Sequence, residues 1–156
     1  MPRAIRRCWV LSGVALCAVL VGPVAVAQAS DNTVRATLNT YGPKIVSDEN
    51  AVKNGVDVQY PKGHWKPLTR ALKHEVGDLR TLKRKLAHES ASSARGRKAK
   101  TLIVSGLNLI ANAYAALRND VLAVHGGPVP QAKVNAAIAT DKKGRKKLLA
   151  GLHLLA

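Results

Sequence analysis

The chain has 156 residues, of which 25 are Lys or Arg and nine are Asp or Glu, giving a formal net charge of +16. A single domain fits that length, and so basic a balance points to polyanions as partners: nucleic acid, anionic lipid or anionic cell-envelope polymers. Both cysteines, Cys8 and Cys17, lie in the first 29 residues, which excludes a disulfide framework, a cysteine metal site and a thiol nucleophile from the rest.

Those 29 residues read as a secretory signal peptide. Arg3, Arg6 and Arg7 form a positive n-region, Cys8 to Val26 an apolar h-region, and Ala27-Gln28-Ala29 a small-residue site, so cleavage is expected between Ala29 and Ser30. Retention as an uncleaved anchor is the alternative. Without the three leader arginines the net charge falls from +16 to +13. A secreted or extracytoplasmic location is expected, with residues 30–156 as one domain.

That remainder is rich in Ala, Leu, Lys and Arg, which favour helix, and it has no Phe. β-Branched alternation is confined to Val56-Asp57-Val58-Gln59-Tyr60. An all-α domain is therefore predicted.

Val34, Leu38, Tyr41, Ile45 and Val52 mark a first helix over about 32–54. Gly42-Pro43 interrupts it, predicting a kinked or broken helix, and Asn54-Gly55 is expected to close it. Residues 55–66 form the longest connection. Tyr60, His64 and Trp65 in it either pack over the end of the helices or form an exposed aromatic binding loop. Pro67 suits the first turn of a second helix, with Leu68, Leu72, Val76, Leu79, Leu82 and Leu86 as its apolar line, over about 67–90.

The third helix, about 97–125, contains the uncharged stretch Thr101–Leu117. Ile103, Leu107, Ile110, Tyr114, Leu117, Val121 and Val124 alternate spacings of four and three, the mark of one helical face. The stretch reads as a buried core helix rather than a membrane span, because Ser105, Asn108 and Asn112 would be costly in lipid. His125 falls in its last turn. A fourth helix over about 131–155 presents Val134, Ile138, Leu148, Leu149, Leu152 and Leu155. Short connections between these elements predict an antiparallel up-down-up-down four-helix bundle.

No catalytic motif is found. His74-Glu75 lacks the second histidine of a zincin, and there is no Glu-x-x-His, no Gly-x-Ser-x-Gly elbow and no phosphate-binding glycine loop. The chain is read as a non-enzyme, with no catalytic residue, no cofactor and no metal site assigned. His74 and His88 point away from the apolar line of their helix and are expected in solvent.

Two constellations remain. Asp48, Glu75, Asp141 and Arg145 project onto or near the apolar lines of their own helices. Aligned by hairpin height, they share a mid-bundle polar layer with Asn108, Asn112 and Tyr114. Buried charges need partners, so a register-fixing salt-bridge layer is expected, with a cation or small-ligand site as the alternative. The second constellation is basic. Arg80, Lys83, Arg84 and Lys85 end the second helix and Arg95, Arg97, Lys98 and Lys100 begin the third, at one end of the bundle. Lys142, Lys143, Arg145, Lys146 and Lys147 add a further run. Aromatic residues for base stacking are missing, so no sequence-specific nucleic-acid recognition is expected. The sequence supports a basic, secreted, non-enzymatic helical protein that associates with anionic polymers or surfaces. The alternative is a structural or protein-interaction domain of unspecified partner whose charge is incidental.

Overall fold

The computed structural model describes residues 31–156. The expected signal peptide and its cleavage point at Ala29 and Ser30 lie outside the described residues. Within them are four α-helices and no strand: α1 (Asp31–Asn54), α2 (Trp65–His88), α3 (Ala94–Ala123) and α4 (Gln131–Leu155). All four contribute to one apolar core, an arrangement consistent with a four-helix bundle.

Helix α1 runs unbroken through Pro43, so of the expected kink or break the break does not occur. Pro43 is exposed and Gly42 buried, so the ring faces solvent and no side chain crowds the inner surface. Leu38 and Ile45 anchor the helix on either side of the missing hydrogen bond. Asn54-Gly55 does not close it either. The chain continues through a π-helical turn, Gly55–Gln59, and a 3₁₀ turn, Tyr60–Lys62. Gly55 lets this turn approach α2, since a Cβ there would lie 3.0 Å from the Leu68 Cα. The reversal comes at Gly63, whose φ of 81° is left-handed.

The aromatic residues of this connection turn inward. Tyr60 is buried and donates its hydroxyl to the Gly127 carbonyl. Trp65 is half-buried and sits over Gly126, where a Cβ would overlap its indole. Helix α3 ends at Ala123, so His125 lies beyond it with φ of 46°, its ring edge-on to Trp65 at 6.4 Å between centroids. His64 and His125 are exposed.

Helix α3 begins at Ser93, whose hydroxyl accepts from the Gly96 N–H at 2.7 Å, a normal N-cap. The same hydroxyl donates to Asp31 Oδ2 at 2.7 Å, tying the start of α1 to the start of α3. No helix among the described residues is long and apolar enough to cross a membrane. The Thr101–Leu117 stretch instead buries Ile103, Leu107, Ile110, Tyr114 and Leu117 in the core.

The closest helix pairing is α3 against α4, and its cause is a seven-residue repeat of small side chains. Ala99, Gly106 and Ala113 on α3 face Ala137, Gly144 and Gly151 on α4, and all six are buried. A Cβ on Gly106 would lie 2.7 Å from the Gly144 carbonyl oxygen, and one on Gly151 would lie 2.8 Å from the Ala99 carbonyl oxygen. The backbones are therefore in direct contact. Contacts between neighbouring helices also fix heights. Lys44 meets Asp78, Lys83 meets Asn108 and Lys147 meets Ser105.

Candidate functional site

At mid-height the core is polar. Arg145 on α4, 9% exposed, projects inward and hydrogen-bonds to Asp141, Glu49 and Tyr114. Its Nε donates to Asp141 Oδ2 at 2.8 Å, one helical turn away. Its Nη2 donates to Glu49 Oε1 at 2.6 Å and to the Tyr114 hydroxyl at 2.9 Å. Glu75, 2% exposed, completes the group from α2. Each helix thus contributes at least one polar side chain: Glu49, Glu75, Tyr114, and the pair Asp141 and Arg145.

Electrostatics follow from the count. One guanidinium cannot offset three buried carboxylates, because each charge taken from water costs several kcal/mol. Glu75 is left without the cation. Burial, and then the nearby Glu49 and Asp48 charges, push its carboxyl up to about 9, so it is protonated at neutral pH. Glu49 and Asp141 are also raised by burial, but Arg145 works against that shift in both. Arg145 stays cationic: burial opposes its charge, while Tyr114, Asp141 and Glu49 favour it and raise its pKa. The Tyr114 hydroxyl is raised by burial and stays neutral. Glu49 Oε2, Glu75 Oε2 and Asp141 Oδ1 are buried without a hydrogen-bond partner. Beside Glu75 and Arg145 lies a cavity of ≈ 10 Å³, its other walls apolar, among them Leu38, Ile45, Leu107 and Leu148.

Four of the seven residues expected in this layer meet there: Glu75, Tyr114, Asp141 and Arg145. Three do not. Asp48 is half-buried at the α1–α2 edge, beside the Asp78 carboxyl. Burial, and then the neighbouring Asp78, raise Asp48 to about 6. Asp78, despite the opposing effect of burial, is held low by its bonds to Asp48 and to Lys44 at 2.9 Å. Asn112 is exposed, and Asn108 is half-buried and accepts from Lys83 Nζ at 2.9 Å. Both asparagines lie on the side of α3 away from the Ile103–Ile110 line. The residue that sequence reasoning missed is Glu49. The buried positions of α1 are Val34, Leu38, Gly42, Ile45, Glu49 and Val52, so Glu49 falls on the apolar line itself.

Glu49 and Asp141 turn toward Arg145 while Glu75 does not, and among the described residues no three His, Cys, Asp or Glu side chains are grouped to hold a metal ion. His74 and His88 are both exposed.

The basic clusters divide. Arg80, Arg84, Lys85, Arg95, Arg97 and Lys98 are exposed. Lys83 is turned to Asn108, and Lys100 caps the end of α2 by donating to the Ala87 and Glu89 carbonyls at 3.0 and 2.7 Å. That capping brings the clusters of α2 and α3 to the same end, because the contact joins the last turn of one helix to the second turn of the other. The asymmetry extends over the whole described surface. Of the 22 Lys and Arg in residues 31–156, 17 are exposed, while none of the nine Asp and Glu is.

The described residues thus define an all-helical, four-helix domain with an ionic interior and a cationic exterior. No protein-family model, characterised protein or solved structure matches the chain.

Proposed function

We propose that this is a secreted, non-enzymatic, up-down-up-down helical bundle that associates electrostatically with anionic polymers or surfaces outside the cytoplasmic membrane. The observation that carries the reading is the segregation of charge: among the described residues 17 cations and no carboxylate are exposed. A surface of one sign attracts polyanions at long range and gains affinity by releasing their counterions. The 80–100 end is the primary contact, because the exposed Arg80, Arg84, Lys85, Arg95, Arg97 and Lys98 outnumber its one half-buried carboxylate, Glu89. The order of contacts along neighbouring helices supports the antiparallel topology, and the n-, h- and c-regions of residues 1–29 support secretion.

The interaction-domain alternative requires an exposed apolar face. Among the described residues Val58, at 40% exposure, is the exposed large hydrophobic side chain, which favours the electrostatic reading. Chromatography of the protein lacking residues 1–29 on phosphocellulose tests it. Retention well above physiological salt is expected, with early elution when Arg80, Arg84, Arg97 and Lys98 are all changed to Gln. Weak retention that the substitutions leave unchanged would refute the reading.

A further inference from the structure

The small-residue contact between α3 and α4 has a consequence at the surface. Helices that touch backbone to backbone lie at roughly the short limit of the usual 8–10 Å spacing, so side chains flanking the contact come from two helices but share one strip. Lys147 on α4 reaches across this strip, its Nζ donating to Ser105 Oγ at 3.0 Å. Lys143 lies one turn away on the same face of α4. On α3, Lys98 is two turns before Ser105 on the same face, and Arg95 one turn further, where its guanidinium donates to the His153 carbonyl at 3.5 Å. All four cations are exposed. Measured along α3, they extend from the level of residue 95 to about that of residue 109, on the order of 20 Å at 1.5 Å per residue.

We infer that this seam is a binding track for a linear phosphate-bearing polymer, which enters at the 80–100 end and runs along α3 and α4 over Arg95, Lys98, Lys147 and Lys143. The inference rests on the polyanion reading above and deepens it by naming the partner's form. Two features select a flexible chain over a lipid surface, and a third selects its phosphates over its bases. The cations follow a line rather than a plane. No large apolar side chain beside the seam is exposed to enter a bilayer, as interfacial binding requires. Tyr60 and Tyr114 are buried and Trp65 half-buried, so recognition falls on the polymer's phosphates and not on stacked bases.

The test uses residues 30–156 with single-stranded oligothymidylates of increasing length and anionic phosphatidylglycerol vesicles, titrated over a range of NaCl. Affinity should rise with oligomer length until the chain covers the seam. Lys143→Gln with Lys147→Gln should lower the slope of log K against log salt by about 1.4 and weaken binding roughly tenfold at 0.15 M salt, two phosphate contacts being lost. Lys53→Gln with Lys62→Gln, at the opposite end, should keep the wild-type slope. If the Lys143 and Lys147 variant binds like wild type while the Arg80, Arg84, Arg97 and Lys98 variant does not, the seam is refuted and the end-on reading survives. Binding to vesicles without binding to oligomers would also overturn the track. Absence of binding to either would overturn both.

Discussion

Replacing Glu75 with Gln should stabilise the domain at neutral pH, against the usual expectation for a buried substitution. The carboxyl is 2% exposed and raised from 4.5 to about 9. Because the folded value lies above the unfolded one, the folded state holds a proton that the unfolded state has released at every pH between them. The stability contributed by that group is complete below about 4.5 and is lost as pH rises, at about 1.4 kcal/mol per pH unit, until the folded carboxyl ionises. At pH 7 the accumulated loss reaches about 3 kcal/mol. Glutamine copies the shape of the protonated acid and does not titrate, so Glu75→Gln removes the loss. Asp48, Glu49 and Asp141 are raised too and shift stability in the same direction, so some pH dependence remains. Urea unfolding followed by circular dichroism at pH 5, 7 and 8.5 would show wild-type stability falling across the series. The variant should fall less steeply and exceed wild type at pH 7 and 8.5, with a melting temperature higher by on the order of 10 °C. A wild-type protein equally stable at pH 5 and 8.5, or a variant weaker than wild type at pH 7, would refute the protonated-carboxyl account.

Arg145→Met should act in the opposite sense, costing about 3–5 kcal/mol at pH 7 by leaving Glu49 and Asp141 buried without their cation. The cost should shrink toward pH 4 as both carboxyls protonate, which urea titrations at the two pH values would detect. Gly106→Ala should lose roughly 1–3 kcal/mol, because its Cβ would meet the Gly144 carbonyl and the Leu148 amide nitrogen at 2.7 Å. Gly77→Ala is the matched control: it points into open space within α2 and should gain about 0.5–1 kcal/mol in the same thermal melt.

How far the sequence discloses this structure depends on the kind of signal. Helix α4 matches the expected 131–155, and α2 and α3 begin two or three residues earlier than expected, because apolar periodicity survives small errors at the ends. The chain from Asn54 to Gly63 departs from the expected turn for a physical reason. Asn-Gly ends a helix only if glycine turns left-handed, and here Gly55 stays right-handed to pack on Leu68, so the turn waits for Gly63. Glu49 was hidden by the opposite error. It occupies the same line as Ile45 and Val52, but a charged residue on an apolar line is readily passed over for its neighbour Asp48. The α3–α4 contact was legible in principle as Ala99-Gly106-Ala113 facing Ala137-Gly144-Gly151. A period of small residues carries no hydrophobic contrast, and so does not register in a search for apolar faces.

The interior and the surface are two consequences of one distribution. With nine acids and 22 bases in the described chain, every carboxylate placed inside or at a helix edge is one fewer to neutralise the exterior. Glu49 and Asp141 are held by Arg145, Glu75 is protonated, and Asp31, Asp78 and Asp120 are committed to Ser93, Lys44 and Lys133. The surface left behind repels itself, which opposes folding. Bound polyanion would screen that repulsion and should therefore stabilise the fold by mass action. If the cationic exterior serves polyanion binding, oligothymidylate should raise the melting temperature of wild type more than that of the variant with Arg80, Arg84, Arg97 and Lys98 changed to Gln. The gain should vanish at 1 M NaCl, where the Debye length falls to about 3 Å. Equal gains in the two proteins would mean that stabilisation does not depend on the 80–100 end.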